Sequence, residues 1–237
     1  MSISLLKQSV YFSLIAQLIT GIVTVAGIWY KIPIEHMILK DINMLELIVQ
    51  GIEFIFYIYI SLAVIQTNSI APRRYFDWFI TTPTMLISTL LYFKYKTALD
   101  DLKSKNAQQQ EIEETMKDVR IGNILQSEKK TITYIVIANA AMLILGLLGE
   151  LGYINIIVSN SIGFIFFGIV FYILYTYAKD NKESMQLYMF FLTVWSLYGV
   201  VHLLPIIPKN ICYNLLDIVA KNFYGLFIFW KLRQLKI

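Results

Sequence analysis

Charge is scarce in this chain. Lys, Arg, Asp and Glu supply 15% of its 237 residues, against roughly 25% in soluble domains, and a fold of that kind is excluded. Cysteine is scarcer still. Cys212 stands alone, so no internal disulfide can form and the redox compartment cannot be read from it. With histidine limited to His36 and His202, no metal site is expected. His202 reads as a hydrogen-bonded surface group near a helix end. Short alternating strands are missing, which excludes a β-barrel, and neither a soluble domain nor an internal repeat is visible.

Apolar residues take the place of charge, at 57% of the chain and a mean hydropathy of +0.62. They fall into seven runs at about 8–29, 44–66, 75–93, 131–151, 153–178, 185–205 and 211–230, each long enough to cross a bilayer as a helix. The pattern predicts an all-α, integral, multi-pass membrane protein: one seven-transmembrane-helix bundle over residues 1–237, with the lipid bilayer as its surroundings. The first run follows Lys7 and lacks a small-residue cleavage site, so it reads as a span and not as a removed signal. Basic residues set the orientation. With the N-terminus outside and the C-terminus cytoplasmic, fifteen Lys and Arg lie inside and only Lys7, Arg73, Arg74 and Lys209 outside. The net charge of +4 then reflects topology and an anionic inner leaflet, and nucleic acid is not expected as a partner.

Two connections are longer than a minimal bundle needs. Residues 31–43 mix Ile32, Ile34, Met37, Ile38 and Ile42 with charged groups, which fits either a short interfacial helix or a solvated loop. The cytoplasmic connection 94–130 is rich in Lys, Glu and Gln. It reads as a solvated linker, in which stretches such as 108–119 could extend the neighbouring helices as a hairpin.

The last run holds Lys221 near its middle, where an ammonium is costly and marks function. Asp217 lies four residues earlier on the same face. Two readings are open for this pair: a structural ion pair, or a lysine carrying a covalent chromophore with Asp217 as counter-ion. On the third run, Arg74, Asp77, Trp78 and Thr81 precede Thr82-Pro83. The sixth carries Trp195-Ser196-Leu197-Tyr198, the fifth Tyr172-Ile173-Leu174-Tyr175, and the fourth Met142 with Gly146 and Gly149.

Taken in order, these motifs resemble the microbial (type 1) rhodopsins over helices three to seven. The resemblance implies all-trans retinal as cofactor, bound as a Schiff base to Lys221, with Asp77 and Asp217 as counter-ions and Arg74 beside them. It places Trp78 and Trp195 on the two faces of the polyene, with Thr81, Thr82, Met142, Gly146 and Tyr198 around it, and Asn139 within reach of Thr82. Gly163, Gly199 and His202 stand where the family often has Trp, Pro and an aromatic residue.

Such a protein is not an enzyme, and three activities compete. Outward proton pumps of the family carry a second acid on helix three; here that position is Ser88. Glu46 and Glu53 lie on one face of helix two with Gln50 between them, and helix one adds Ser13, Gln17, Thr20 and Thr24. Buried acids line aqueous routes more readily than lipid, and rows of Glu favour cations. Glu46, Glu53, Gln17, Ser88 and Asn222 are therefore assigned to an ion pathway, with Glu53 unpaired and facing inward. These features are similar to those of the group-one viral rhodopsins of algal giant viruses, which implies a light-gated cation channel in a host-cell membrane. An outward proton pump and a slow sensor signalling through 94–130 remain the alternatives. Oligomeric state is left open, and a homo-oligomer is compatible with the sequence.

Overall fold

The computed structural model of the chain describes residues 2–63 and 70–237. Its elements, in order, are α1 (Ile3–Val25), α2 (Ile38–Ala63), α3 (Ile70–Ser104), α4 (Gln109–Lys117), α5 (Ile121–Ser127), α6 (Lys129–Glu150), α7 (Ile156–Ala178), α8 (Lys182–His202), α9 (Ile206–Asp217) and α10 (Phe223–Gln234). A π-helical turn, Ile218–Asn222, joins the last two into one continuous crossing. Among the described residues there is no strand. Seven crossings result: α1, α2, α3, α6, α7, α8 and the composite α9–α10. Packing of α1 on α2, α2 on α3, α3 on α6, α6 on α7, α7 on α8, α8 on α9 and α9 on α1 closes the bundle.

Local chemistry starts the helices. Ser2 accepts a hydrogen bond from Leu5 N at 3.3 Å to cap α1. The Asn155 side chain accepts from Ile157 N and Val158 N to cap α7, and Asn181 accepts from Ser184 N to cap α8. Six of the seven crossings are apolar enough to span a bilayer on hydropathy. The exception, α3, carries Arg73, Arg74 and Asp77 near its start, yet 19 of its 35 residues are buried, so protein and not lipid surrounds it. Large apolar side chains such as Ile15, Ile22, Ile55, Leu62, Phe76 and Ile165 face outward instead. That is the inverse of a soluble protein and what a bilayer requires. The α3 helix runs through Pro83 without stopping. The predicted end of the second span at 66 lies outside the described residues.

Both long connections differ from their predicted form. No separate interfacial helix occupies 31–43: a single 3-10 turn covers Ile34–His36, and α2 already starts at Ile38. The 94–130 segment is neither a solvated linker nor a projecting hairpin. Helix α3 continues to Ser104, and the chain then folds back as α4 and α5 across the C-terminal end of the bundle. Met116 and Ile124 are buried there, with Ile112, Val119 and Ile121 packed on the same core. Asp41 receives Arg120 Nε and Nη2, both at 2.7 Å, in a bidentate pair. Gln109 donates to Glu35 at 3.2 Å, and Lys94 to Glu128 at 2.8 Å. Burial pushes the Glu128 carboxyl up, but hydrogen bonds from Lys94, Tyr177 and Thr131 outweigh it and hold the group below its ordinary value.

Candidate functional site

The seventh crossing places Asn210, Asn214, Asp217 and Lys221 at spacings of four, three and four residues, one face of a helix. All four are buried. Lys221 lies inside the π turn, a local widening frequent at functional sites.

Three carboxylates converge on Lys221. Its Nζ lies 3.1 Å from Asp77 Oδ2 and 3.5 Å from Asp217 Oδ1, and it touches Glu53 Oε1. The last contact corrects the expectation of an unpaired Glu53. Helix α2 brings that residue to the depth of Lys221, and no cation on its own helix is needed. Asp217 also accepts from Tyr57 at 2.7 Å, Tyr198 at 2.8 Å and Arg74 at 3.0 Å. Arg74, fully buried, donates further to Asn214 and, at 3.4 Å, to Asn210. Three acids thus face two cations, not two facing two. The buried cluster balances when one of the three carries a proton.

A cavity opens beside Lys221 between α3, α6, α7, α8 and the π turn. Trp78, Thr82, Met142, Gly146, Trp195 and Tyr198 line it. Asn139 donates to Thr82 Oγ1 at 2.8 Å and ties α6 to α3. Trp78 meets Tyr198 and Tyr213 edge-on, with ring centroids 5.6 and 5.1 Å apart. Thr81 bonds back to Asp77 O of its own helix at 3.1 Å and is not among the wall residues. The walls are overwhelmingly apolar. This lining suits a long hydrophobic ligand tethered to the one amine at its edge, and Gly146 lets Tyr75 pack close in the wall: a Cβ there would come within 2.6 Å of the Tyr75 hydroxyl.

Toward the C-terminal end, polar groups continue along α1, α2 and α10. Gln17 donates to Glu53 at 3.2 Å, Thr24 to Gln50 at 3.0 Å, and Asn43 to Thr24 O at 3.4 Å. Asn222 donates to Thr20. Glu46 is fully buried and accepts from Ser88 at 2.5 Å; it does not reach toward the membrane surface. Gln50 Nε2, Asn43 Oδ1, Glu46 Oε2, Asn222 Oδ1 and Tyr224 Oη are buried without a hydrogen-bond partner in the protein.

Other sequence expectations fall differently. Tyr172 and Tyr175 point outward, 69% and 41% exposed, and α7 instead gives Phe164 and Phe167 to the cavity. His202 is no surface group. It is 4% exposed, with Nδ1 3.4 Å from both Glu150 Oε2 and Tyr213 Oη, and it lines the cavity. The residues missed were Tyr213, Asn210 and Asn214. The two asparagines were readable, since their spacing continues the Asp217–Lys221 face.

A family model described as bacteriorhodopsin-like protein matches residues 7–235. Among solved structures, viral rhodopsin OLPVRII is 26% identical, with a TM-score of 0.79 over 98% of this chain and 100% of that one. A blue light-absorbing proteorhodopsin from Med12 is 19% identical, with a TM-score of 0.71 over 97% of each chain. The light-driven proton pump rhodopsin of Coccomyxa subellipsoidea is 17% identical, with a TM-score of 0.63 over 95% of this chain and 96% of that one. No curated protein matches the chain.

Proposed function

Because the chain belongs to the bacteriorhodopsin-like family, whose microbial rhodopsin members bind retinal, we propose that it is a retinal photoreceptor of an integral membrane and acts as a light-gated cation channel. All-trans retinal joined to Lys221 Nζ would supply light absorption and a change of shape. The chain's own residues do the rest. Trp78 and Trp195 confine the ligand, and Asp217, held by Tyr57, Tyr198 and Arg74, keeps a fixed negative charge beside Nζ. Asp77 Oδ2, at 3.1 Å, is placed to receive the proton that Nζ carries. Its transfer removes the attraction that holds Glu53 against Lys221 and frees that carboxylate to face the row below.

The observation that carries the channel reading is that row: Glu53, Gln50, Asn222 and Glu46 follow one another down α2 and the π turn, and Gln50, Asn222 and Glu46 each keep a polar atom that no protein group satisfies. Buried polar atoms of this kind recruit water, and a hydrated file with an acid at each end passes cations. In this reading the C-terminal end is cytoplasmic, as the basic residues predict, and the membrane is that of a host cell.

One observation favours a second reading. Ser88 bonds Glu46 at 2.5 Å, so a carboxyl stands at the helix-three position where family pumps keep their internal proton donor. An outward proton pump would use Glu46 in that role.

Photocurrent against voltage separates the two. A channel current reverses with the ion gradient, whereas a pump current stays outward. Glu53→Gln keeps shape and removes charge. We expect its visible band to persist while the reversing current falls about tenfold or changes selectivity, since a charge-assisted contact at a constriction contributes about 1.5–3 kcal/mol. An unchanged current would move the ion path elsewhere.

A further inference from the structure

The cavity has a polar far end, to which a hydrocarbon ring could offer no hydrogen bond. Lys209 and Lys221 are twelve residues apart, about 18 Å of helix, and His202 belongs to the Lys209 level: Glu150 accepts from Lys209 Nζ at 2.9 Å and approaches His202 Nδ1 at 3.4 Å. His202 is the last residue of α8, while Ser159 and Asn160 stand in the first turns of α7. All three line the same cavity as Lys221, at the end away from the amine. His202 Nε2 is buried and has no hydrogen-bond partner in the protein. A Cβ on Gly149 would collide with Ser159 Oγ and come within 3.5 Å of His202 Nε2, so the hydroxyl and the free ring nitrogen are neighbours over that glycine. Tyr75 Oη lies one turn further along α6, over Gly146.

An imidazole nitrogen left unpaired at the end of an apolar slot is out of place for a hydrocarbon ring, because a buried polar atom without a partner is destabilising. It is in place for a ligand that ends in a hydroxyl. Nδ1 is engaged with Glu150 and Tyr213, which fixes the ring. A hydroxyl both donates and accepts, so it satisfies Nε2 in either tautomer. Gly163 stands open in the same wall, with nothing nearer to a Cβ there than Met142 O at 3.9 Å.

We propose that this cavity selects a ring-hydroxylated retinal over retinal, with the ring hydroxyl held by His202 Nε2 beside Ser159. The inference rests on the reading that a retinal is bound at Lys221. It does not depend on whether the protein conducts ions.

The test supplies the full-length protein, expressed without chromophore, with an equimolar mixture of retinal and 3-hydroxyretinal, then extracts and quantifies what has been incorporated. One buried neutral hydrogen bond predicts an enrichment of the hydroxylated aldehyde by about threefold to tenfold. His202→Phe should abolish the enrichment while both aldehydes still give a visible band, and His202→Gln, which restores a polar group, should recover part of it. If His202→Phe does not accumulate, Asn160→Leu and the wild-type competition decide. Equal incorporation, or preference for retinal, in the wild type overturns the proposal and leaves the chromophore reading intact. Absence of a visible band with either aldehyde overturns the chromophore reading itself.

Discussion

Two polar networks of the bundle, one on either side of Lys221, are built from similar residues and bonded in opposite ways. On the side of the N-terminus, Arg74, Tyr57, Asn210, Asn214 and Asp217 satisfy one another, and Ser13 and Ser9 of α1 complete the set by bonding Asn214 O at 3.0 Å and its side-chain amide at 2.8 Å. On the other side, Gln50, Asn43, Glu46, Asn222 and Tyr224 each keep an atom without a protein partner. A saturated network resists change, because any movement breaks several bonds at once. An unsaturated one gains by admitting water. The first half therefore acts as a fixed plug that orients the counter-ion, and the second as the part that opens.

The largest effect that would break this contrast is at Arg74. Arg74→Gln leaves Asp217 buried with one cation fewer. It should cost about 3–5 kcal/mol and lower the thermal midpoint of the visible band by about 10 °C. A shift under 2 °C, within what roughly 1 kcal/mol produces, would mean that the network is not saturated in the membrane. Gln50→Leu should do the reverse. It removes the unpartnered Nε2 and also Oε1, but Thr24 still has Thr20 O to donate to at 2.8 Å, so the cost should stay within about 1 kcal/mol, while a dry side chain in the row should cut the photocurrent. Ser88→Ala removes one donor to Glu46 and should cost roughly 1 kcal/mol. Under the pump reading it should also slow reprotonation in single-turnover flash measurements, and under the channel reading it should not.

The smallest effect lies at the folded-back segment. Glu128 has its carboxyl held below the ordinary value, so its contribution is fully present above that ordinary value and is lost as pH falls through the lowered one. Acidification below about pH 4 should therefore speed proteolysis of residues 105–127, and Glu128→Gln should remove that pH dependence.

Much of this was legible from sequence because it is local or periodic. The seven runs, and Asp217 one turn before Lys221, follow from spacing alone. Arg74 and Asp77 were placed together by a three-residue interval. The contact between Glu53 and Lys221 was not legible, since it joins residues far apart in sequence and depends on how α2 is rotated in the bundle. Neither was the docking of α4 and α5. Their apolar residues, Ile112, Met116, Val119, Ile121 and Ile124, are too few among charges to outweigh a solvated reading. The outward turn of Tyr172 and Tyr175 was not legible, because helix α7 is apolar on most sides, which leaves periodicity without a preferred face.

The π turn at Ile218–Asn222 bears on how this crossing can change by mutation. A π turn holds one residue more than the α-helix it interrupts. If the turn relaxed to a regular α-helix with every residue kept, everything beyond it would rotate by about 100°. Gly225, whose missing Cβ leaves room for the Gln50 amide, would turn away from α2, and Tyr224 would leave the core. Upstream, Asn210, Asn214 and Asp217 would keep their places. The half that holds the counter-ion and the half that faces the row are thus set in register by one extra residue held in a wide turn: deleting it should leave both sets of side chains facing as they do, whereas losing the turn with that residue kept should uncouple them.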